Sequence, residues 1–161
     1  MILEIRSIKD IAFQELMNVY LEGNIENAKT FYPKMDASAG ILEAEQDFYA
    51  YLKDTFFQTD DARYYVLQEG GQYLSALRLE PYLDGYLLEA LETAPMHRRK
   101  GYAKQLMDAV LSGINKPVYS HVDKQNLPSL AIHRLCGFEI ILDYAEYIDG
   151  TRRQNSYTLR R

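Results

Sequence analysis

The feature that most constrains this chain is a change of hydrophobic period near its middle. Tyr86 to Thr93 is an apolar, strand-like run holding Leu87, Leu88, Ala90 and Leu91, and Pro95 closes it. From Tyr102 to Ser112 the apolar residues Ala103, Leu106, Met107 and Val110 recur at helical spacing until Gly113 stops them. Another strand-like run, Pro117 to Val122, follows. Strand, amphipathic helix and strand make a crossover unit, which needs a sheet for its helix to pack on.

The flanking segments supply that sheet. Ile2 to Arg6 reads as a strand, and Ser7 and Asp10 offer capping oxygens to a helix carrying Ile11, Leu16, Val19 and Tyr20. Between Gly23 and Gly40 the residues Asn24, Asn27, Pro33 and Asp36 break any period, so a connection is expected before a second helix from about Ile41 to Phe57. Arg63 to Gln68 and Gln72 to Leu79 flank Gly70-Gly71 as an antiparallel hairpin. Leu127 to Leu135 reads as a short helix ending at Gly137, and Phe138 to Asp149 with Asn155 to Leu159 as a last hairpin around Asp149-Gly150.

The order β-α-α-β-β-β-α-β-α-β-β gives an α+β fold (α/β in looser usage): a central mixed, mostly antiparallel sheet flanked by helices. With 161 residues, 47% hydrophobic and 25% charged, a single domain over residues 1–161 is expected. Lys and Arg number 18 against 23 Asp and Glu, a net charge of −5 that argues against nucleic acid and anionic membrane as partners. The single cysteine, Cys136, excludes an intrachain disulfide and a cysteine metal cluster; no metal is expected, and a cytoplasmic location fits. Glu4 stands where a signal peptide would be basic and then apolar, and no run approaches a membrane span.

Against this acidic background Arg98, Arg99, Lys100 and Lys104, with His97, gather where the strand turns into the helix. A helix N-terminus offers free N–H groups and partial positive charge, and Gly101 allows close approach to the backbone, so the loop has the make-up of a phosphate cradle. A solvated basic turn would show the same bare pattern.

Two blocks carry a resemblance. Glu89-Ala-Leu-Glu-Thr-Ala-Pro-Met-His-Arg-Arg-Lys-Gly-Tyr-Ala-Lys-Gln-Leu-Met resembles the signature of the GNAT superfamily, the acyl-coenzyme A dependent N-acetyltransferases, with Arg98, Gly101 and Ala103 matching its Gln/Arg-x-x-Gly-x-Gly/Ala motif. Asn126-Leu-Pro-Ser-Leu-Ala-Ile-His-Arg-Leu-Cys-Gly-Phe-Glu resembles the downstream element in which an asparagine opens a helix ending in Gly-Phe. The resemblance implies acetyl-CoA as co-substrate and an amine acceptor. It implies that backbone groups around Leu91 and Thr93 hold the pantetheine arm, and that the amides from Arg99 through Lys100, Gly101, Tyr102 and Ala103 to Lys104 hold the pyrophosphate. Arg98, Arg99 and Lys100 would add charge toward the phosphates, and Asn126 and His133 would lie beside the cofactor.

Acetyl transfer needs a base for the amine, donors for the developing oxyanion and a proton for the thiolate. Glu89 and Glu92 lie in an apolar strand, where an unpartnered carboxylate becomes a better base. Strict alternation puts them on opposite faces, so one of them at most faces the acceptor, Glu89 being favoured, unless the bulge usual in the family shifts the parity. His121 is the third base candidate, in the strand Pro117 to Val122. Many family members carry a tyrosine acid four residues before the Gly of Gly-Phe; here that position is His133, which projects away from the stripe of Leu127, Leu130, Ala131 and Leu135. His133 would donate the proton, contact coenzyme A or face solvent.

Cys136 is expected to be a small packed residue. Seven acids between Asp36 and Asp61 would favour a cationic acceptor if they rim its site, and a solvated helix face accounts for them equally. The leading expectation is an N-acetyltransferase acting by direct transfer in a ternary complex, as monomer or homodimer. The rivals are a catalytically silent acyl-CoA-binding module and an unrelated nucleotide-binding protein.

Overall fold

The computed structural model describes all 161 residues. The chain opens with β1 (Ile2–Ile5), a single 3-10 turn at Ile8–Asp10, and three helices: α1 (Phe13–Val19), α2 (Leu21–Phe31) and α3 (Ala37–Asp54). The connection expected from Gly23 to Gly40 is thus mostly helix. Tertiary packing overrides the weak local propensity there. Asn24 is buried with its amide 3.4 Å from Met17 Sδ, and a Cβ placed on Gly40 would lie 3.4 Å from that of Ala28, so α2 and α3 pack closely. Asp36 caps α3, its carboxylate accepting from the Ala39 amide at 3.0 Å.

Strands β2 (Arg63–Glu69), β3 (Gln72–Tyr82) and β4 (Gly85–Thr93) form an antiparallel meander with β1 on its outer edge. The crossover helix α4 (Tyr102–Ser112) leads to β5 (Val118–Asp123), which runs parallel to β4. Helix α5 (Leu127–Leu135), edge strand β6 (Glu139–Leu142) and β9 (Ser156–Arg160) complete a seven-stranded sheet of order β1-β2-β3-β4-β5-β9-β6. The last hairpin differs from expectation in one respect: its turn around Asp149-Gly150 is itself a small hairpin of β7 (Ala145–Glu146) and β8 (Arg152–Arg153).

The period of two decides which side of the sheet each residue joins. Tyr65 and Leu67 of β2, with Leu77, Leu79 and Leu88, pack against Leu106, Met107, Val110 and Leu111 of α4 and Leu130 of α5. Tyr64, Val66 and Ala76 pack on the opposite face against Leu16, Met17, Leu52 and Phe56 of the N-terminal helices. Helices therefore cover both faces. No helix is long and apolar enough to cross a membrane.

Two irregularities position the site. Strands β4 and β5 pair over three residues only, Tyr86 with Val118, Leu87 with Tyr119 and Leu88 with Ser120, and then separate toward their carboxyl ends. In β4 the ladder to β3 matches Arg78 with Glu89 and Ala76 with Glu92, so two residues, Ala90 and Leu91, stand opposite Leu77. This is a bulge, and Ala90 occupies it at φ +52°, a left-handed backbone that costs an alanine about 1 kcal/mol or more.

Candidate active site

Where β4 and β5 part, a cavity of about 160 Å³ opens between them, lined by residues of β4, β5 and α5. Ligands of open sheets with parallel strands bind at such carboxyl-end crevices. The basic loop from Arg98 leads into α4 on one face of the sheet, and the N-terminal helices cover the other.

On the first face, no side chain caps α4, so the amides of Tyr102, Ala103 and Lys104 have no partner within the helix. Gly101 at φ +80° and Arg99 at φ +62° both take left-handed backbone, and a Cβ on Gly101 would meet nothing within 4 Å. Left-handed residues alternating with right-handed ones gather consecutive N–H groups into an anion-binding concavity, so the segment fits a pyrophosphate. The basic side chains divide. Arg98 turns back, 2.7 Å from Glu22 and 3.8 Å from Glu92, with its Nε donating to the Thr93 carbonyl at 3.3 Å. Lys104 pairs with Asp108. Arg99 and Lys100 are exposed and make no ion pair, which leaves them as the cations free to meet phosphate. Leu91 packs against the α4 core, and the Thr93 hydroxyl donates to Ser75 Oγ at 3.2 Å.

His133 does not project into solvent as its helical position suggests; it is 2% exposed, whereas Leu127 and Leu135 of the expected apolar stripe are largely exposed. The helix is rotated so that Leu130 and His133 face inward, because the imidazole finds polar partners there. Its Nδ1 lies 2.8 Å from the Ser129 carbonyl, which can only accept, so Nδ1 carries the proton; Nε2, 2.9 Å from Ser120 Oγ, is the acceptor. Burial holds the imidazole below its usual range, partly offset by that carbonyl. Ser120 Oγ also lies 3.0 Å from the Leu88 carbonyl, so its single hydroxyl hydrogen is shared between that carbonyl and Nε2 at the last paired residues of β4 and β5. Asn126 caps α5, accepting from the Ser129 amide at 3.2 Å.

On the face of the N-terminal helices, the bulge makes Glu89 and Glu92 neighbours of one side, correcting the strict alternation expected of the strand. Glu92 lies 3.8 Å from Arg98, whose closer partner is Glu22, and burial raises the Glu92 carboxyl above the usual range. Glu89 accepts from Arg78 Nε at 3.3 Å and neighbours Glu80, whose carboxyl is pushed up to about 7 by burial and by Glu89. Arg78 lies over the rings of Tyr51 and Phe56. His121 faces this group from β5, its ring against Tyr82 and Tyr147 at 5.7 and 4.9 Å. Both its nitrogens are buried without a partner, and burial lowers its pKa, with the charge of Glu89 opposing. Sequence reasoning missed Glu80, Arg78 and Ser120. The expected strand ended at Leu79, one residue short of Glu80, although charges alternating with leucine in Arg78-Leu79-Glu80 were visible.

Other candidates serve structure. Asp61 joins Arg6, Arg63 and the Tyr86 hydroxyl, Asp36 is a cap, and Asp47 accepts from Tyr32, so these acids of the 36–61 stretch do not rim the gap. Cys136 is buried, its thiol pushed up to about 11 by burial and by Asp108, which suits packing and not nucleophilic attack.

The Glu80 carboxyl predicts a pH dependence of stability. Below pH 4.5 folded and unfolded chains both carry its proton; between 4.5 and about 7 only the folded chain does, so stability falls as pH rises through that window. Glu80→Gln is expected to raise the melting temperature by a few degrees at pH 8, for about 1–2 kcal/mol after discounting for partial exposure, and to change it little at pH 5. Thermal melts at the two pH values check this.

The fold and this gap define an acyltransferase. The sequence profile of the acetyltransferase (GNAT) family matches residues 13–138, and the chain belongs to that family. The co-substrate is accordingly acetyl-CoA. A search of curated protein sequences finds no match. Among solved structures, the chain is similar to the PaiA N-acetyltransferase of Thermoplasma acidophilum in complex with coenzyme A, with TM-score 0.63, 16% identity, and coverage of 100% of this chain and 98% of that one. An acetyltransferase of Thermus thermophilus gives 0.65 at 16% identity over 100% and 95% of the two chains. The ribosomal-protein-S18-alanine N-acetyltransferase of Escherichia coli gives 0.61 at 15% over 99% and 92%.

Proposed function

We propose that this protein transfers the acetyl group of acetyl-CoA to a primary amine, on a small molecule, peptide or protein, by direct attack in a ternary complex, with His121 as general base. The observation that carries the reading is the pair of buried, unpartnered nitrogens of His121 beside the gap. A buried polar atom without a partner is uncommon enough to require a ligand or a task. That same imidazole weighs against a silent acyl-CoA-binding module.

Acetyl-CoA supplies the activated acetyl thioester. An alkylammonium with a pKa near ~10 must lose a proton before it can attack. His121, kept neutral by burial, accepts that proton directly or through water, and the nearby charge of Glu89 favours the imidazolium that results. Glu89 itself is engaged by Arg78, which leaves it an electrostatic part, and Glu92 does not line the gap, so it is given no part in the proton transfer. His133 presents a bare Nε2 to Ser120 and so orients the β4–β5 junction instead of supplying the thiolate's proton, which comes from water. Above about pH 7, where Glu80 ionises, the group of Arg78, Glu80 and Glu89 carries a net negative charge, and with the rings of Tyr82 and Tyr147 it favours a cationic acceptor over an anionic one. A buried lone thiol is compatible with a reducing cytoplasm.

The test has two arms. Thiol release from acetyl-CoA should depend on added amine across a panel of alkylamines, diamines, amino acids and peptides with free N-termini; no dependence on any of them would overturn transfer. Calorimetry should show acetyl-CoA binding that weakens at least tenfold in Gly101→Glu. Gly101→Ala, which carries the same backbone strain without the carboxylate, should lose much less.

A further inference from the structure

A chain of two hydroxyls joins β2 and the N-terminal helices to the bulge of β4. Tyr64 of β2, fully buried, donates to the Tyr20 hydroxyl at 2.7 Å, and Tyr20, at the junction of α1 and α2, donates to the carbonyl of Ala90 at 2.6 Å. The acceptor of that short bond is the bulge residue held at φ +52°. Hydrogen bonds in series polarise one another, so the second is strengthened by the first. The rings of Tyr20, Tyr64, Phe48 and Phe56 pack edge to face around them, which fixes the direction of both hydroxyls.

An alanine does not adopt left-handed backbone without support. Within β4 the ladder cannot give it, because the bulge is where the register to β3 shifts, and β5 has already parted from β4 at Leu88. Ala90 and Leu91 both line the gap, so the orientation of their peptide groups decides which N–H donors a thioester carbonyl meets there.

We propose that Tyr20, braced by Tyr64, is a positioning residue for catalysis: its hydroxyl holds the carbonyl of Ala90 and thereby sets the peptide groups of β4 that face the reacting carbonyl. The helical half of the molecule is then a part of the catalytic geometry as well as a wall for the acceptor.

The test is a cycle of Tyr20→Phe and Ala90→Gly. Phenylalanine keeps the ring packing and removes only the hydroxyl; glycine removes the backbone penalty that the hydroxyl offsets. Tyr20→Phe is expected to lower kcat at least tenfold, with the KM for acetyl-CoA changing less than threefold, and to cost less than threefold in the Ala90→Gly protein. Tyr64→Phe should act in the same direction with a smaller loss. A loss below threefold in the original background, or equal losses in both, overturns the proposal. Turnover presupposes the transfer proposed above, so amide exchange in the ligand-free protein supplies an independent reading. Exchange at Ala90 and Leu91 should accelerate at least tenfold in Tyr20→Phe and not in the double variant. Unchanged exchange there overturns the role of Tyr20 even if amine transfer is confirmed, and accelerated exchange sustains it even if no panel amine is acetylated.

Discussion

Converting His121 to glutamine is expected to lower kcat/KM for amine acetylation by at least a hundredfold, the lower end of what a positioned base contributes. Burial lowers the pKa of this imidazole from 6.5, so in the parent protein kcat/KM should rise with pH along a limb lying below 6.5 and level off above it. The base works only when neutral, which fixes the sign. The variant should lose that limb together with the rate, while its affinity for acetyl-CoA stays within a few fold, because the ring faces the acceptor side of the gap. A surviving limb centred near 7 would instead assign the proton to the Glu80 carboxyl. Rate profiles from pH 5 to 9 separate the two.

The second large effect concerns stability. A Cβ at Gly85 would stand 1.8 Å from the Pro117 carbonyl oxygen, the acceptor of the Tyr86 amide at 3.0 Å, so neither backbone can give way without breaking the start of the β4–β5 pairing. Gly85→Ala should therefore cost about 3 kcal/mol, at the upper end of overpacking penalties, and lower the melting temperature by roughly 6–12 °C. Scanning calorimetry checks it. A shift under 2 °C would mean that the two strands rearrange more freely than their three residue pairs suggest.

Gly85 illustrates what a single sequence does and does not disclose. Its need for a missing side chain arises from Pro117, which is distant in sequence, and no local pattern announces such a contact. Local patterns did announce α4 and α5 with the bounds observed, because spacing, Gly113, Asn126 and Gly137 are signals within one helix. Helix α2 was hidden because Asn24 and Asn27 are poor helix formers whose cost is met by packing on α3. The site divides in the same way. Gly101 and the basic loop are contiguous and could be read directly, and His121 was visible as a candidate. The unpartnered state of His121, the pairing of Glu80 with Glu89 and the inward turn of His133 each depend on a second element.

The break in pairing beyond Leu88 and Ser120 also sets a limit on how robust this molecule can become. Its sheet is continuous from edge to edge through three residue pairs, so the simplest way to harden it is to extend the ladder between β4 and β5. Each added pair would close the crevice in which the thioester is proposed to sit. Selection for heat tolerance and selection for turnover therefore pull in opposite directions at this seam, and gains in durability have to come from elsewhere, in the helices and the outer strands.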